Sequence, residues 1–178
     1  MEGFELIMIP GGRGRGIALY MKKKLQKKLQ KIKLIDQANV QAIIATFSSF
    51  SVAGVYIPPN SDSYNALLHL QIGSHDPSKN CILLGDFNFD YQSQLNHPIR
   101  QHLESKQFHQ RMTSPTHYKG NVIDHIYTRG NLKVQEVTRL PAYYSDHFGL
   151  GISLKKPQKD GLKVKRRKKE KKMKKEKN

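Results

Sequence analysis

The stretch C-I-L-L-G-D-F-N-F-D at positions 81–90 constrains the fold of this 178-residue chain more than any other segment. Its four apolar residues, Cys81–Leu84, are typical of a strand that is buried on both faces. Asp86 and Asn88 follow, and side chains two positions apart in an extended chain point the same way. The segment therefore predicts a carboxylate and a carboxamide side by side at the carboxyl end of a buried strand, where open α/β sheets bind their ligands. An ordinary turn is the alternative, since Gly, Asp and Asn all favour turns.

Charge divides the chain into two parts. From Lys155 to Asn178 there are 14 Lys or Arg and 3 Asp or Glu, so residues 155–178 are predicted to be a disordered polybasic tail. Residues 1–154 are long enough for one domain with a hydrophobic core. The single cysteine, Cys81, excludes an internal disulfide, fits a reducing intracellular compartment and predicts no disulfide-linked partner. Neither a membrane-spanning run nor a signal peptide is recognisable, so no membrane association is predicted.

Short apolar runs predict several strands and two helices. The predicted strands, apart from the central one, include Phe4–Ile9, Ile17–Met21, Val40–Phe47, Phe50–Ile57 and Leu150–Leu154. The predicted helices are Tyr64–Leu70 and Ile99–Phe108. Strands flanked by helices favour an α/β layered domain.

The segment Lys22–Lys33 carries seven lysines among three apolar residues, Leu25, Leu29 and Ile32. Those apolar residues would line one face of a helix, but a basic hairpin edge fits the pattern equally well. Such a charge run is more often a solvated face than a binding site. With an anionic polymer as partner, it would be the natural electrostatic contact surface.

Two further apolar runs are interrupted by an acid and a histidine. Asp124 and His125 lie within the run 122–127, and Asp146 and His147 directly precede the last strand. A buried carboxylate needs a partner or a metal to offset its desolvation. An oxygen-rich cluster suits Mg²⁺, and His147 could take a proton from an attacking water near neutral pH. Metal-assisted attack of water on a phosphodiester is the chemistry that fits. The alternative is three unrelated strand ends, with Asp124 and His125 as core polar residues.

Several motifs resemble the endonuclease/exonuclease/phosphatase superfamily. They are G-D-F-N at 85–88, I-D-H-I at 123–126 and S-D-H-F at 145–148. R-G-R-G-I-A-L-Y at 13–20 and G-V-Y-I-P-P-N at 54–60 are especially similar to the endonuclease domains of LINE-type (non-LTR) retrotransposons. The resemblance covers residues 13–154. It implies an α/β fold, the four-layer α-β-β-α sandwich of DNase I-like proteins.

The resemblance also implies roles for individual residues and a cofactor. Asp86 would activate or position the water, Asn88 would hold the phosphate, and His147 would pair with Asp124 and contact the scissile phosphate. Asp146 would bind the metal together with Asp86. Tyr56 and, more weakly, Asn60 would bind the phosphate. The implied ion is Mg²⁺, with Mn²⁺ as a substitute, and His125 is interpreted as structural.

One departure from the family pattern bears on activity. The resemblance implies a strand with an Asn and a strand ending in a metal-binding Glu, both upstream of residue 13. Glu2 and Glu5 are the only acids there, and neither stands in the expected context. The sequence is therefore expected to represent an N-terminally truncated domain with early strands missing and impaired hydrolysis.

The resulting hypothesis is a Mg²⁺-dependent endonuclease domain acting on DNA. The alternatives are a non-catalytic nucleic-acid-binding remnant and a superfamily phosphodiesterase acting on another phosphate ester. The run K-V-K-R-R-K-K at 163–169 is typical of a nuclear localisation signal. The same run would serve equally as a solubilising tail.

Overall fold

The computed structural model of the chain describes residues 2–12, 15–37, 40–59, 61–62 and 80–155. Its strands are β1 (Phe4–Ile9), β2 (Ile17–Lys22), β3 (Leu29–Gln37), β4 (Val40–Phe47), β5 (Phe50–Tyr56), β6 (Asn80–Asp86), β7 (His109–Gln110), β8 (Asp124–Arg129), β9 (Val134–Leu140) and β10 (Gly149–Leu154). A 3-10 helix spans Lys23–Lys28, and the α-helix α1 spans Pro98–Ser105. The helix predicted at Tyr64–Leu70 lies outside the described residues, as does the tail beyond Lys155.

Six strands form one mixed sheet in the order β3-β4-β5-β6-β8-β7. Strand β6 lies inside this sheet, parallel to β5 and antiparallel to β8. Residues Cys81, Ile82 and Leu83 are buried, which agrees with the prediction of a strand covered on both faces. Gly85 does not end the strand but continues it at a φ of 147°, with Val55 so close that a Cβ atom would lie 1.8 Å from its carbonyl oxygen. Only glycine fits this approach of two backbones.

The two faces of the sheet pack against different elements, as the two-residue period of strand side chains requires. One face packs against α1, with Leu83 and Tyr127 contacting the cluster that contains Ile99 and Leu103. The other face packs against the antiparallel pair β1–β2 near Ala45 and against the pair β9–β10 near residues 84 and 126. These layers of strands with a helix outside them confirm the predicted α/β sandwich of the DNase I-like type.

The lysine-rich segment is not a single helix, and the predicted hairpin edge is confirmed for its second half, which belongs to an edge strand antiparallel to β4. It forms the 3-10 helix and then β3, the edge strand of the large sheet. Leu25, Leu29 and Ile32 pack inward against the buried cluster containing Met21 and Phe47. The lysines therefore lie on an ordered part of the surface, because the apolar residues between them anchor the segment.

Strand β9 has no counterpart among the predicted elements. Its sequence V-Q-E-V-T-R-L is mostly polar and half-exposed, so it lacks the apolar run by which the other strands are recognised. Its pairing with β10 and the packing of Val137 on the core stabilise it. None of the described helices has the length and apolar content required to cross a lipid bilayer.

Candidate active site

The register of three neighbouring strands brings three predicted site residues to one level. Tyr56 ends β5 and is paired with Asp86 at the end of the parallel strand β6. Asp86 is paired in turn with Asp124, the first residue of the antiparallel strand β8. The carboxyl ends of β5 and β6 and the start of β8 therefore lie at the same end of the sheet. We call this the acidic end.

Asp86 and Asn88 form a hydrogen-bonded unit. The backbone N–H of Asn88 donates to Asp86 Oδ1 (2.9 Å), and its side-chain Nδ2 donates to Asp86 Oδ2 (3.0 Å). Asn88 Nδ2 also donates to the carbonyl of Ile57 (2.9 Å). Asn88 has a φ of 52°, a left-handed conformation that Asn adopts more readily than most residues. This turn directs the amide back over the carboxylate.

His147 and Asp124 form a second unit. Nδ1 of His147 lies 2.8 Å from Asp124 Oδ2, with the two side chains 31% and 15% exposed. The carboxylate orients the ring and leaves Nε2 facing away from it. The hydroxyl oxygen of Thr116 accepts the backbone N–H of Asp124 (2.9 Å) and that of Ile123 (3.0 Å). Thr116 therefore fixes the start of β8, where Asp124 lies.

Asp146 is held by a histidine that the motifs do not reveal. His117 Nε2 lies 3.0 Å from Asp146 Oδ2, and the backbone N–H of Lys119 donates to His117 Nδ1 (3.1 Å). Since Nδ1 accepts, the ring proton lies on Nε2 and is donated to the carboxylate. The side chain of Asp146 is 70% exposed and that of His117 only 11%. A nearly buried imidazole thus positions an exposed carboxylate beside His147.

Backbone contacts tie the segment around His117 to the loop before β10. The N–H of Tyr118 donates to the carbonyl of Asp146 (2.9 Å), and the N–H of Phe148 donates to the carbonyl of Thr116 (2.8 Å). The sequence of this segment indicates only an extended chain, because Pro115 disfavours helix. Its chemical role depends on a pairing between positions 29 residues apart, which a single sequence does not show.

The acidic end concentrates negative charge. Burial, followed by the neighbouring charge of Asp124, raises the pKa of Asp86 to about 6. Burial alone would lower the pKa of His147, but the hydrogen bond to Asp124 and the nearby carboxylates outweigh it and raise the pKa. The hydrogen bond from His117 lowers the pKa of Asp146. A cation beside Asp86 would relieve the repulsion that its carboxylate experiences from that of Asp124.

Two groups of side chains have the spacing to hold a metal ion. One consists of Asp86, Asp124 and His147, and the other of His117, Asp146 and His147. In the second group, the proton on His117 Nε2 is donated to Asp146, so this histidine is not free to act as a ligand in the arrangement observed. Carboxylate oxygens dominate the donors that are left, and they suit a hard divalent cation. The residues at this end therefore fit the metal that the motifs imply.

A cavity of about 580 Å³ opens beside this site. It lies between the segment after β5 and the loop before α1, and Asn88 forms part of its wall. Its other lining residues are Ile57, Pro58, Ser61, Phe87, Phe89, Ser93, Gln94, Leu95, Asn96, His97 and Ile99. The mix of apolar and hydrogen-bonding groups suits an organic ligand with polar edges.

His125 lies next to the site but inside the core. It is fully buried, donates from Nε2 to the carbonyls of Val122 (2.9 Å) and Phe89 (3.2 Å), and accepts the hydroxyl of Tyr127 at Nδ1 (3.2 Å). Burial lowers its pKa to about 4. This agrees with its interpretation as a structural residue. Cys81 is likewise buried, and burial raises the pKa of its thiol to about 11.

The structure thus brings together Tyr56, Asp86, Asn88, Asp124 and the Asp146–His147 pair. Asn60 lies outside the described residues. Sequence reasoning missed Thr116 and His117. Glu5 lies in β1 and belongs to neither group of candidate ligands.

Most of the sequence matches a known protein family. The sequence profile of the Endonuclease/Exonuclease/phosphatase family matches residues 5–147. The chain therefore belongs to the endonuclease/exonuclease/phosphatase family, whose members are hydrolases such as nucleases and phosphatases. A comparison with curated protein sequences gives no significant match.

Solved structures share the fold at low sequence identity. An endonuclease/exonuclease/phosphatase family protein from Leptotrichia buccalis is 15% identical with a TM-score of 0.63, over 88% of this chain and 74% of that one. The endonuclease domain of TRAS1, a telomere-specific non-LTR retrotransposon, is 15% identical with a TM-score of 0.58, over 87% and 80%. The inositol polyphosphate 5-phosphatase domain of SPsynaptojanin, in complex with inositol (1,4)-bisphosphate and calcium, is 16% identical with a TM-score of 0.55, over 86% and 63%.

Proposed function

We propose that this chain hydrolyses phosphodiester bonds of DNA with the help of a divalent metal ion, in the manner of a retrotransposon endonuclease domain. The observation that carries the proposal is that two hydrogen-bonded pairs, Asp86–Asn88 and Asp124–His147, lie together at the acidic end. Each pair holds a charged or proton-transferring group in a fixed orientation. Such fixed groups stabilise a charged transition state because they need no reorganisation during the reaction.

The side chains suggest distinct roles. Asp86, with its pKa raised to about 6, would orient or deprotonate the attacking water near neutral pH. Asn88 would hold the phosphate by exchanging its hydrogen bond to Asp86 for one to a phosphate oxygen, and the hydroxyl of Tyr56 would donate to the phosphate as well. His147, oriented by Asp124 at Nδ1, would present Nε2 to the scissile phosphate. A Mg²⁺ ion held by Asp86 and Asp146 would supply charge neutralisation at the phosphate oxygens.

DNA is favoured as the substrate by two features. The chain has a formal net charge of +17, which suits a polyphosphate partner. Its R-G-R-G-I-A-L-Y and G-V-Y-I-P-P-N motifs resemble the retrotransposon branch, and the TRAS1 endonuclease domain shares the fold. A smaller phosphate ester is the second candidate, because the fold is shared with a domain bound to inositol (1,4)-bisphosphate.

The run at 163–169 supports a nuclear location, which a fluorescent fusion with and without that run would test.

We expect the rate of DNA hydrolysis to be low. Asp86 and Asp146 would give the ion two carboxylates, and neither group of candidate ligands among the described residues contains a Glu. A loosely held ion shifts easily, and a displacement of about 1 Å can lower a rate ~10²-fold.

The test is nicking of supercoiled plasmid by the purified chain in Mg²⁺ and in EDTA. We expect slow, Mg²⁺-dependent nicking that is lost with Asp86→Ala. Nicking that survives Asp86→Ala would contradict the proposal. Cleavage of soluble phosphate esters without DNA nicking would favour the second candidate, and binding without any hydrolysis would favour a non-catalytic remnant.

A further inference from the structure

The end of the sheet opposite the acidic end carries a cluster of five exposed lysines, Lys22, Lys23, Lys24, Lys27 and Lys28. They occupy the end of β2 and the 3-10 helix that leads into β3. We call these five residues the lysine end. None of the ion pairs between described residues involves them, so their charges face solvent.

The strand register separates this cluster from the acidic end. The 3-10 helix precedes Leu29, which is paired with Phe47 at the far end of β4, whereas Gln41 near the start of β4 is paired with Tyr56. Strand β5 runs between these two levels from Phe50 to Tyr56, a distance of about 20 Å at ~3.3 Å per residue. The lysine end therefore lies too far from Asp86 to contact the phosphate that is being hydrolysed.

The charges at the two ends act independently. Glu2 and Glu5 lie beside the lysine end, because β1 is paired with β2 and Gly3 accepts the backbone N–H of Lys23. None of the ion pairs between described residues joins either acid to a lysine, and the sequence has no Asp or Glu between Glu5 and Asp36. The Debye length is ~8 Å at physiological ionic strength, so carboxylates about 20 Å away are screened from them. Lys155, the last described residue, donates its backbone N–H to the carbonyl of Lys133 (2.9 Å), and Asn131 is bonded to Asn80 at the start of β6. Further basic residues thus lie toward the same end.

We propose that the lysine end is a second nucleic-acid-binding surface, which holds a duplex segment other than the one at the acidic end. Its ligand is the phosphate backbone, which the lysines would bind without contacting the bases. Two features favour a polyphosphate over a lipid surface. The leucine within the 3-10 helix, Leu25, packs inward against the core and is not presented for insertion into lipid. The lysines are also held on an ordered segment, which lowers the entropy cost of binding a rigid duplex.

This inference rests on the proposed function for its choice of nucleic acid, but its test does not require hydrolysis. A patch variant replaces the five lysines with Gln in the full chain. A control variant has the same net charge and replaces Lys168, Lys169, Lys171, Lys172 and Lys174 with Gln. Affinity for a 30-base-pair duplex is measured in EDTA from low to moderate salt.

We expect the patch variant to lower the slope of log affinity against log salt by about 0.9 for each phosphate that the protein no longer neutralises, and by more than the control does. An equal reduction of the slope in the two variants would overturn the inference, because only total charge would then matter. An unchanged slope in the patch variant would overturn it as well.

Two further measurements complete the test. In the wild-type chain, a lysine-acetylating reagent read by mass spectrometry should modify Lys23 and Lys27 less when duplex is bound. Equal modification with and without duplex would contradict the inference even if the patch variant failed to fold. The second measurement is binding to vesicles of phosphatidylcholine and phosphatidylserine. If these lysines bind vesicles but not duplex, the choice of nucleic acid as the ligand is overturned. Failure of plasmid nicking alone would contradict the proposed hydrolysis and leave these binding results standing.

Discussion

The two ends of the six-stranded sheet use charge in opposite ways. At the acidic end, Asp86 and Asp124 are partly buried and face each other, and each is bound to a polar partner. At the lysine end, five cations lie on the surface and no ion pair between described residues involves them. Charge that is buried and paired is specific for a small ligand in a defined geometry, whereas exposed charge attracts any polyanion.

This difference explains why substitutions at the two ends should act differently. A residue at the acidic end is part of a network, so its loss leaves a partner unsatisfied. A lysine at the other end contributes nearly independently of its neighbours and affects affinity through counterion release. The comparison would be wrong if substitutions at the lysine end lowered the hydrolysis rate itself. It would also be wrong if substitutions at the acidic end acted only through the net charge.

The largest effect is expected on nicking. His147→Ala removes the imidazole that would face the phosphate in the proposed reaction, and we expect Mg²⁺-dependent nicking to fall by about 10²-fold or more. His109, an exposed histidine in β7, provides the control, since His109→Ala should leave the rate within twofold. Equal rates for the two variants would remove His147 from the proposed site.

A large effect on stability is expected at His125. Replacing it with Ala opens a cavity and leaves the carbonyls of Phe89 and Val122 and the hydroxyl of Tyr127 without their partner, which should lower the free energy of unfolding by about 2–4 kcal/mol. The five Lys→Gln changes at the lysine end should each change it by less than about 0.5 kcal/mol. Urea unfolding followed by circular dichroism measures both, and a fully stable His125→Ala variant would contradict the structural role.

A smaller effect is expected when His117 is changed. His117→Ala frees the carboxylate of Asp146, and removal of such an orienting partner weakens metal binding by about 10-fold. His117→Gln can still donate a hydrogen bond to Asp146 and should restore most of the affinity. Mn²⁺ titration followed by electron paramagnetic resonance gives the affinities without reference to activity. If both variants bind Mn²⁺ as the wild type does, His117 does not position a metal ligand.

The smallest effect is the pH dependence of stability. The pKa of Asp86 is raised from 3.8 to about 6, so the folded chain binds more protons than the unfolded chain between these values. Through this group the metal-free stability therefore falls as the pH rises through that window. Mg²⁺ should raise the melting temperature by a few degrees at pH 7.5 and by less at pH 5, where protons compete for Asp86. A shift that is equal at the two pH values, or unchanged in Asp146→Ala, would contradict a metal site there.

Much of the fold could be predicted because the strands are short apolar runs with a two-residue period. The predicted strands in β1, β2, β4, β5 and β10 are confirmed to within one residue at each end. Strand β9 was missed because its side chains are mostly polar and its stability comes from pairing with β10. The segment Lys22–Lys33 was ambiguous because the spacing of its apolar residues fits a helix as well as a strand. Burial of these residues against Phe47 favours the observed 3-10 helix and edge strand.

The candidate site was predictable to the extent that its residues stand in recognisable motifs. Asp86, Asn88 and His147 each adjoin an apolar run, so their position at strand ends was predicted. Asp124 lies within the apolar run 122–127, and the structure shows that it begins β8. The order of strands in the sheet makes β6 and β8 neighbours, and their register places Asp86 opposite Asp124. A single sequence shows neither. His117 stands in no such motif, and only the fold brings it to Asp146.

The central claim is that the acidic end holds the divalent cation. It is tested most directly by adding Mn²⁺ to the isotope-labelled chain and following paramagnetic broadening of its nuclear magnetic resonance signals. The account predicts that signals of Asp86, Asp146 and His147 broaden first and recover when excess Mg²⁺ displaces the Mn²⁺, while those of His109 and Lys27 persist. Broadening spread evenly over the chain, or confined to residues far from Asp86, would contradict it.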